Sequence, residues 1–186
     1  MATASSNGQT NVRVPPHSDE AEASVLGALL LDKSSVVNVA EFLRPDHFYN
    51  DKNASIFEAM LELYENREPI DVLTVSEKLK QKKRLKEVGG ATYLSDLVNQ
   101  VPTAAHVEHY GKIIKEHAVK RALMVASSRL VELTFDNSLA ADELLDKAES
   151  EVFALSQASL TNVFIPVREA LAESFDRLDE LHKNTG

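Results

Sequence analysis

The stretch from Ala104 to Phe135 contains no proline and a single glycine, Gly111. Proline clashes inside a helix and removes a backbone donor, and glycine weakens a helix interior, so the stretch predicts one long helix or two joined at a bend. Glycine and proline occur only six times each in the 186 residues. No segment sustains the alternation of apolar and polar residues that is typical of strands. The sequence therefore predicts an all-α fold.

The polar sequence Asp136-Asn137-Ser138 predicts a turn, and residues 139–157 show helical spacing again. Two long helices joined by so short a turn fold back as an antiparallel hairpin. The hairpin carries more apolar residues than one seam buries, so we expect the surplus to form a protein–protein interface. The candidates are Leu123, Val125, Leu130, Val131, Leu133, Leu144, Leu145, Val152 and Phe153.

A last amphipathic helix is predicted from Phe164 to Lys183, with Pro166 in the first turn, where proline is tolerated. Its apolar residues recur at intervals of three and four, and its opposite face carries charge pairs four residues apart. Nothing else in the sequence is left to cover its apolar face, so we expect it to dock on a partner. The docking candidates are Phe164, Val167, Leu171, Phe175, Leu178 and Leu181.

Shorter helices are predicted before the hairpin. Ser18, followed by two acids, indicates a helix start, and residues 35–43 and 53–65 show helical apolar spacing. The sequence from Thr74 to Glu77 matches a capping box and predicts a helix over 75–84, while Gly89-Gly90 predicts a stop and a restart. The predicted organisation is a disordered tail (1–14), a compact helical head (15–117), the hairpin (118–158), and a linker with its linker helix (159–186).

The sequence offers no recognisable catalytic chemistry. Without cysteine there is no thiolate metal site. The only Gly-Lys pair, Gly111-Lys112, lacks the spaced glycine and the following hydroxyl of a phosphate-binding loop, so Lys112 is interpreted as a surface residue. His106 and His109 lie one turn apart, with Glu116 two turns beyond, but the motifs of helical metal enzymes are absent, so we interpret them as ordinary histidines. No catalytic, cofactor-binding or metal-binding residue is predicted.

Net charge favours protein partners over nucleic acid. At −9, the chain opposes the neutralisation of phosphates that nucleic-acid binding requires. One basic cluster departs from this trend and supports an alternative function as a nucleic-acid-binding module, but it lacks interleaved aromatic residues for base stacking, so a solvated face is favoured. The basic cluster consists of Lys78, Lys80, Lys82, Lys83, Arg84 and Lys86.

The chain is expected to be cytoplasmic. Its first residues lack a basic segment followed by an apolar one, so they do not form a secretory signal. The longest apolar run, Val25 to Leu31, is too short to cross a bilayer.

Six short motifs, in order, resemble one family. They are Pro15-Pro16-His17-Ser18-Asp19-Glu20-Ala21-Glu22-Ala23-Ser24-Val25-Leu26-Gly27-Ala28-Leu29-Leu30-Leu31-Asp32, Leu43-Arg44-Pro45-Asp46-His47-Phe48-Tyr49, Ile56-Phe57-Glu58-Ala59-Met60, Pro69-Ile70-Asp71-Val72-Leu73-Thr74, Gly89-Gly90-Ala91-Thr92-Tyr93-Leu94, and Pro102-Thr103-Ala104-Ala105 followed by Tyr110 and Arg121. Together these motifs resemble the N-terminal domain of the bacterial replicative DNA helicases of the DnaB type. The resemblance covers about residues 15–183.

The resemblance implies a role in a hexameric ring. In that family the N-terminal domains form a collar, often a trimer of dimers with hairpin against hairpin, to which primase binds through its C-terminal domain. Loader or initiator proteins contact the helicase, and the linker helix docks on the neighbouring subunit's ATPase domain. The resemblance places ATP, magnesium and DNA unwinding in a RecA-like domain that would follow residue 186. We therefore expect no cofactor and no enzymatic activity of these residues themselves, and no membrane partner.

Overall fold

A computed structural model describes residues 14–160, with side chains described through Gln157. The predicted tail and the predicted helix over 164–183 lie outside this range. All regular elements within it are helical, as predicted. They are α1 (Asp19–Leu31), α2 (Val37–Ala40), α3 (Asp51–Glu65), α4 (Val72–Gln81), α5 (Gly90–Gln100), α6 (Val107–Thr134) and α7 (Ala141–Leu160), with short 3-10 turns at Lys33–Val36 and Pro45–His47.

The described residues form two compact units, one ending at Arg129 and the other beginning at Leu130. The first unit is built on α1, which packs against α5 and α3. Its side chains Val25, Leu26 and Leu29 are fully buried, because the helix is apolar around most of its circumference. A Cβ atom at Gly27 would lie 2.2 Å from the Leu97 carbonyl oxygen, so only glycine allows this close approach of α1 to α5.

The start of α1 is as predicted, because the Ser18 hydroxyl accepts a hydrogen bond from the Ala21 N–H at 3.2 Å. The prediction for α4 was wrong by three residues at each end. The Asp71 carboxylate accepts from the Leu73 and Thr74 N–H groups at 2.9 Å, and the Thr74 hydroxyl accepts from the Asp71 N–H at 3.0 Å. Thr74 therefore closes a capping box that begins at Asp71, and not one that begins at itself.

The end of α4 also comes earlier than predicted. The helix stops at Gln81, and Lys83 adopts a left-handed conformation with φ of 60°. The Arg84 N–H then donates to the Leu79 carbonyl at 2.9 Å, which satisfies an acceptor at the helix end. Gly89 and Gly90, with φ of 98° and 73°, supply the predicted restart at α5 but do not end α4.

The stretch after Ala104 forms the single helix α6 and not two helices joined at a bend. The predicted turn follows it, where the Asp136 carboxylate accepts from the Ser138 N–H at 3.0 Å and from its hydroxyl at 2.6 Å. The next helix, α7, begins at Ala141, two residues later than predicted. That the two helices pack as an antiparallel hairpin stays a prediction, as does the division at 117 and 158.

Candidate interaction surfaces

In the first unit, two of the predicted interface residues lie exposed on α6. Leu123 is 53% exposed and Val125 is 54% exposed. Two residues turn a helix by about 200°, so these side chains face nearly opposite sides of α6. The neighbouring Met124 and Val119 are exposed as well, although the sequence analysis did not single them out. This part of α6 therefore presents apolar surface in more than one direction.

In the second unit, the remaining candidates divide into half-buried and exposed groups. Leu130, Leu133 and Leu144 are half-buried. Val131, Leu145, Val152 and Phe153 are exposed, and the last three lie along one side of α7, where Leu145 and Val152 are two turns apart. No described side chain of α7 is fully buried.

Phe135 is the most exposed large apolar side chain of the described residues, at 78%. It directly follows α6 at the start of the turn and was missed by the sequence analysis, which weighed residues inside the two helices. The signal was present, because an aromatic residue beside a polar turn has no periodic helix face to join.

The basic cluster is largely neutralised by acids of α3. Lys78 lies 3.1 Å from Glu62, Lys82 pairs with both Glu62 and Glu58, and Arg84 lies 3.2 Å from Glu58. The hydrogen bond from Lys82, followed by that from Lys78, outweighs the opposing effect of burial and lowers the pKa of the Glu62 carboxyl below its ordinary value. This pairing holds α4 and the segment after it against α3, which reduces the positive charge available to a phosphate backbone.

The remaining members of the basic cluster are placed differently. Lys80 lies 3.9 Å from Glu77 on its own helix. Lys83 and Lys86 form no ion pair within 4.0 Å among the described residues. Four of the six cations are therefore paired with carboxylates on α3 or α4, and the cluster does not form a continuous basic patch.

The other sequence candidates remain apart. His106 and His109 are exposed, and no three His, Asp or Glu side chains in the described part of the chain are arranged to hold a metal ion. Lys112 is an exposed residue of α6 whose ammonium lies 2.6 Å from the Glu108 carboxylate. None of the helices between residues 14 and 160 is long and apolar enough to span a bilayer.

A buried polar junction joins α1 to the start of α3. Glu22 is 2% exposed, and its carboxylate accepts hydrogen bonds from the Tyr49 N–H at 2.6 Å, the Asn50 N–H at 3.4 Å and the Asn53 amide at 2.9 Å. The Asn53 carbonyl in turn accepts from the Tyr93 hydroxyl at 2.8 Å. The negative charge sits at the N-terminus of α3, where the helix dipole favours it. No role was predicted for Glu22 from the sequence.

Comparison with known proteins finds relatives that are similar to most of this chain. The family described as "DnaB-like helicase N terminal domain" matches residues 14–116. The replicative DNA helicase DnaB of Geobacillus stearothermophilus is 37% identical over 94% of this chain, and the replicative DNA helicase DnaC of Bacillus subtilis is 36% identical over 95%. The chain spans 38% and 39% of the length of these two relatives.

Two solved structures are also similar. The crystal structure of the N-terminal domain of the DnaB helicase from Mycobacterium tuberculosis matches with a TM-score of 0.72 and 38% identity, covering 76% of this chain and 99% of that one. The structure of a DnaB-like replicative helicase, described with its interactions with primase, matches with a TM-score of 0.69 at 20% identity, covering 88% of this chain and 36% of that one, and shows the shared fold. The chain belongs to the DnaB-like helicase N-terminal domain family.

Proposed function

We propose that this chain is the non-catalytic collar domain of a replicative DNA helicase, acting in ring assembly and in docking of primase during DNA replication. The observation that supports the proposal is that several large apolar side chains of α6 and of α7 are exposed, since exposed apolar patches mark protein–protein interaction sites. The relatives are replicative helicases, and one structural neighbour is a helicase described with its interactions with primase. ATP hydrolysis and DNA unwinding would belong to a further domain, in a cytoplasmic hexamer.

Self-association accounts for part of that surface. Full burial of a large apolar side chain is worth about 1.5–3 kcal/mol. Leu145, Val152 and Phe153 are each about half to two-thirds exposed, so burial of each in an interface would contribute about 1–2 kcal/mol of binding free energy. In a symmetric dimer both copies contribute these three side chains. The resulting gain of ~6–12 kcal/mol in binding free energy is comparable with the cost of about 4–15 kcal/mol for the translational and rotational freedom that is lost on association. The α7 side chains alone thus give at most a weak dimer, and a stable assembly requires those of α6 as well.

The test of self-association is the particle mass of a Phe153→Asp variant compared with the unaltered chain. The introduced charge would be buried without a partner in the interface, so we expect the variant to dissociate at concentrations at which the native chain assembles. Ala154→Asp is the matched control, because Ala154 is exposed and lies on the side of α7 turned away from Leu145 and Val152. Equal masses for both variants and the native chain would remove the α7 surface from the proposal.

Primase docking is tested separately from self-association through α7. The test uses Leu123 and Val125, which face different sides of α6. We expect the C-terminal domain of the cognate primase to bind the native chain in calorimetry. Because these two side chains face nearly opposite sides of α6, we expect only one of Leu123→Asp and Val125→Asp to weaken that binding about tenfold, and the other to lower the particle mass by weakening self-association. Absence of binding to the native chain would contradict docking on these residues. A loader or initiator protein is a further proposed partner, tested by the same titration.

The helix predicted over 164–183, which lies outside the described residues, is proposed to pack on the neighbouring subunit's ATPase domain in the full-length protein. Leu171→Asp and Phe175→Asp are therefore expected to abolish ring assembly of the full-length chain while the head stays folded. Ring assembly of full-length chains that carry either change would contradict docking through Leu171 and Phe175.

Nucleic-acid binding is the second candidate, resting on Lys83 and Lys86, which form no ion pair within 4.0 Å in the part of the chain that the structure describes. It predicts binding of single-stranded DNA that weakens with salt and with Lys83→Ala and Lys86→Ala. The exposed Lys33→Ala is the control. Absence of binding at low salt would eliminate this candidate.

A further inference from the structure

We propose that Arg121 is a positioning residue that fixes the direction in which residues 122–129 of α6 extend from the rest of the first unit. That Arg121 thereby orients Leu123 and Val125 toward a partner rests on the proposed function. That it fixes the direction of α6 does not. The proposal stands on a bridge that the Arg121 side chain makes between two segments distant in sequence.

The guanidinium of Arg121 donates two hydrogen bonds in different directions. One nitrogen, Nη1, donates to the Pro16 carbonyl at 2.8 Å, and the other, Nη2, donates to the His47 carbonyl at 2.6 Å. Pro16 precedes α1, and His47 ends the 3-10 turn before α3. One side chain of α6 therefore holds the entrances to the two central helices of the first unit.

An aromatic stack lies beside this bridge. The Arg121 guanidinium carbon lies 5.7 Å from the centre of the Tyr49 ring, within the range of a cation–π contact. The Tyr49 ring stacks on the His17 ring with centroids 4.2 Å apart and planes inclined by 20°. Because His17 directly follows Pro16 and Tyr49 comes shortly after His47, the stack ties together the same two segments that the bridge joins.

The packing of α6 changes along its length within the first unit. Before Arg121, Val107 and Ile114 are buried, and a Cβ atom at Gly111 would lie 3.0 Å from the Phe42 ring. From Ala122 to Arg129, only Ala126 is buried. Arg121 thus stands where the close packing of α6 against the head gives way to exposed side chains.

Arginine suits this position because its planar group carries donors on both terminal nitrogens. A lysine at 121 retains the charge and most of the apolar stem, but its single ammonium cannot reach both carbonyls in the same fixed geometry. The bridge is therefore expected to fail in Arg121→Lys as well as in Arg121→Ala.

The test is a distance distribution within the first unit, measured by pulsed electron spin resonance. The chain has no cysteine, so Asp96→Cys on α5 and Ser128→Cys on α6, both at exposed positions, introduce the only two labelling sites. Labelled chain is diluted with unlabelled chain, so that distances between copies do not contribute. The native distribution is compared with those of Arg121→Lys, Arg121→Ala and the neighbouring control Lys120→Ala.

We expect both Arg121 variants to broaden and shift the distribution and Lys120→Ala to leave it unchanged. The thermal melt of Arg121→Lys, which keeps the side-chain stem, checks that the head remains folded. Amide hydrogen exchange on the same variant is expected to accelerate in residues 122–129 and not in α1, α3 or α5. Distributions that superimpose for all variants, or exchange that accelerates throughout the head, would overturn the proposal whether or not the chain self-associates.

Discussion

Replacing Glu22 by alanine tests the polar junction between α1 and α3. The carboxylate is 2% exposed and accepts close hydrogen bonds from the Tyr49 N–H at 2.6 Å and the Asn53 amide at 2.9 Å, with a longer one from the Asn50 N–H. Hydrogen bonds to a charged group contribute about 1.5–3 kcal/mol each, and a buried donor left without a partner costs about 1–3 kcal/mol. Water entering the vacated space recovers part of the loss, so we expect Glu22→Ala to lower the free energy of unfolding by about 3–5 kcal/mol.

The assay is urea unfolding followed by circular dichroism. Glu20→Ala is the matched control, because Glu20 is an exposed acid in the same first turn of α1, and its loss is expected to change the free energy of unfolding by less than about 0.5 kcal/mol. The reasoning is refuted if Glu22→Ala unfolds within about 1 kcal/mol of that control, since the junction would then contribute little.

Three further changes test other parts of the first unit. Gly27→Ala forces α1 away from the Leu97 carbonyl and is expected to cost about 3 kcal/mol, measured as a lower melting temperature. Burial lowers the pKa of His47 below its usual 6.5, and neighbouring charges make smaller contributions. Because the unfolded chain therefore binds more protons than the folded one, the free energy of unfolding falls as the pH drops from 6.5 to the pKa of His47 in the folded chain. His47→Gln should reduce that fall in urea titrations, and an unchanged slope would contradict it. A double-mutant cycle of Lys82→Ala and Glu62→Ala is expected to give a coupling of only about 0.5–1 kcal/mol that shrinks with added salt, because both side chains are a quarter to a third exposed and water screens them.

Local patterns predicted the helices well where caps and breakers act alone. Ser18 predicted the start of α1, and the absence of proline predicted a long α6, whereas the helix predicted over 35–43 is a 3-10 turn followed by the short α2. The start of α4 was wrong because two overlapping segments can close a capping box, one from Asp71 to Thr74 and one from Thr74 to Glu77, and only the second has the usual pattern of a hydroxyl followed by a carboxylate. Spacing cannot choose between them, whereas the observed hydrogen bonds of Asp71 do.

The features that required tertiary structure all join residues far apart in sequence. Glu22 meets its partners across 27 to 31 residues, and Arg121 reaches Pro16 across 105. Neither contact leaves a periodic signal, because periodicity reports only which residues share a helix face. The ion pairs of the basic cluster could not be predicted for the same reason, since Glu58 and Glu62 lie on another helix. Some of the exposed apolar residues of α6 and α7 were named from the sequence, but which partner covers each is not a property of this sequence alone.

Sedimentation equilibrium of the unaltered chain over a wide range of concentrations tests the collar proposal most directly. The chain has a mass of 20.5 kDa, and exposed apolar side chains on α6 and α7 should drive association by mass action. We predict particles of at least twice that mass at micromolar concentrations, dissociating on dilution. A constant mass of 20.5 kDa at every concentration would contradict the proposal that these helices are assembly surfaces.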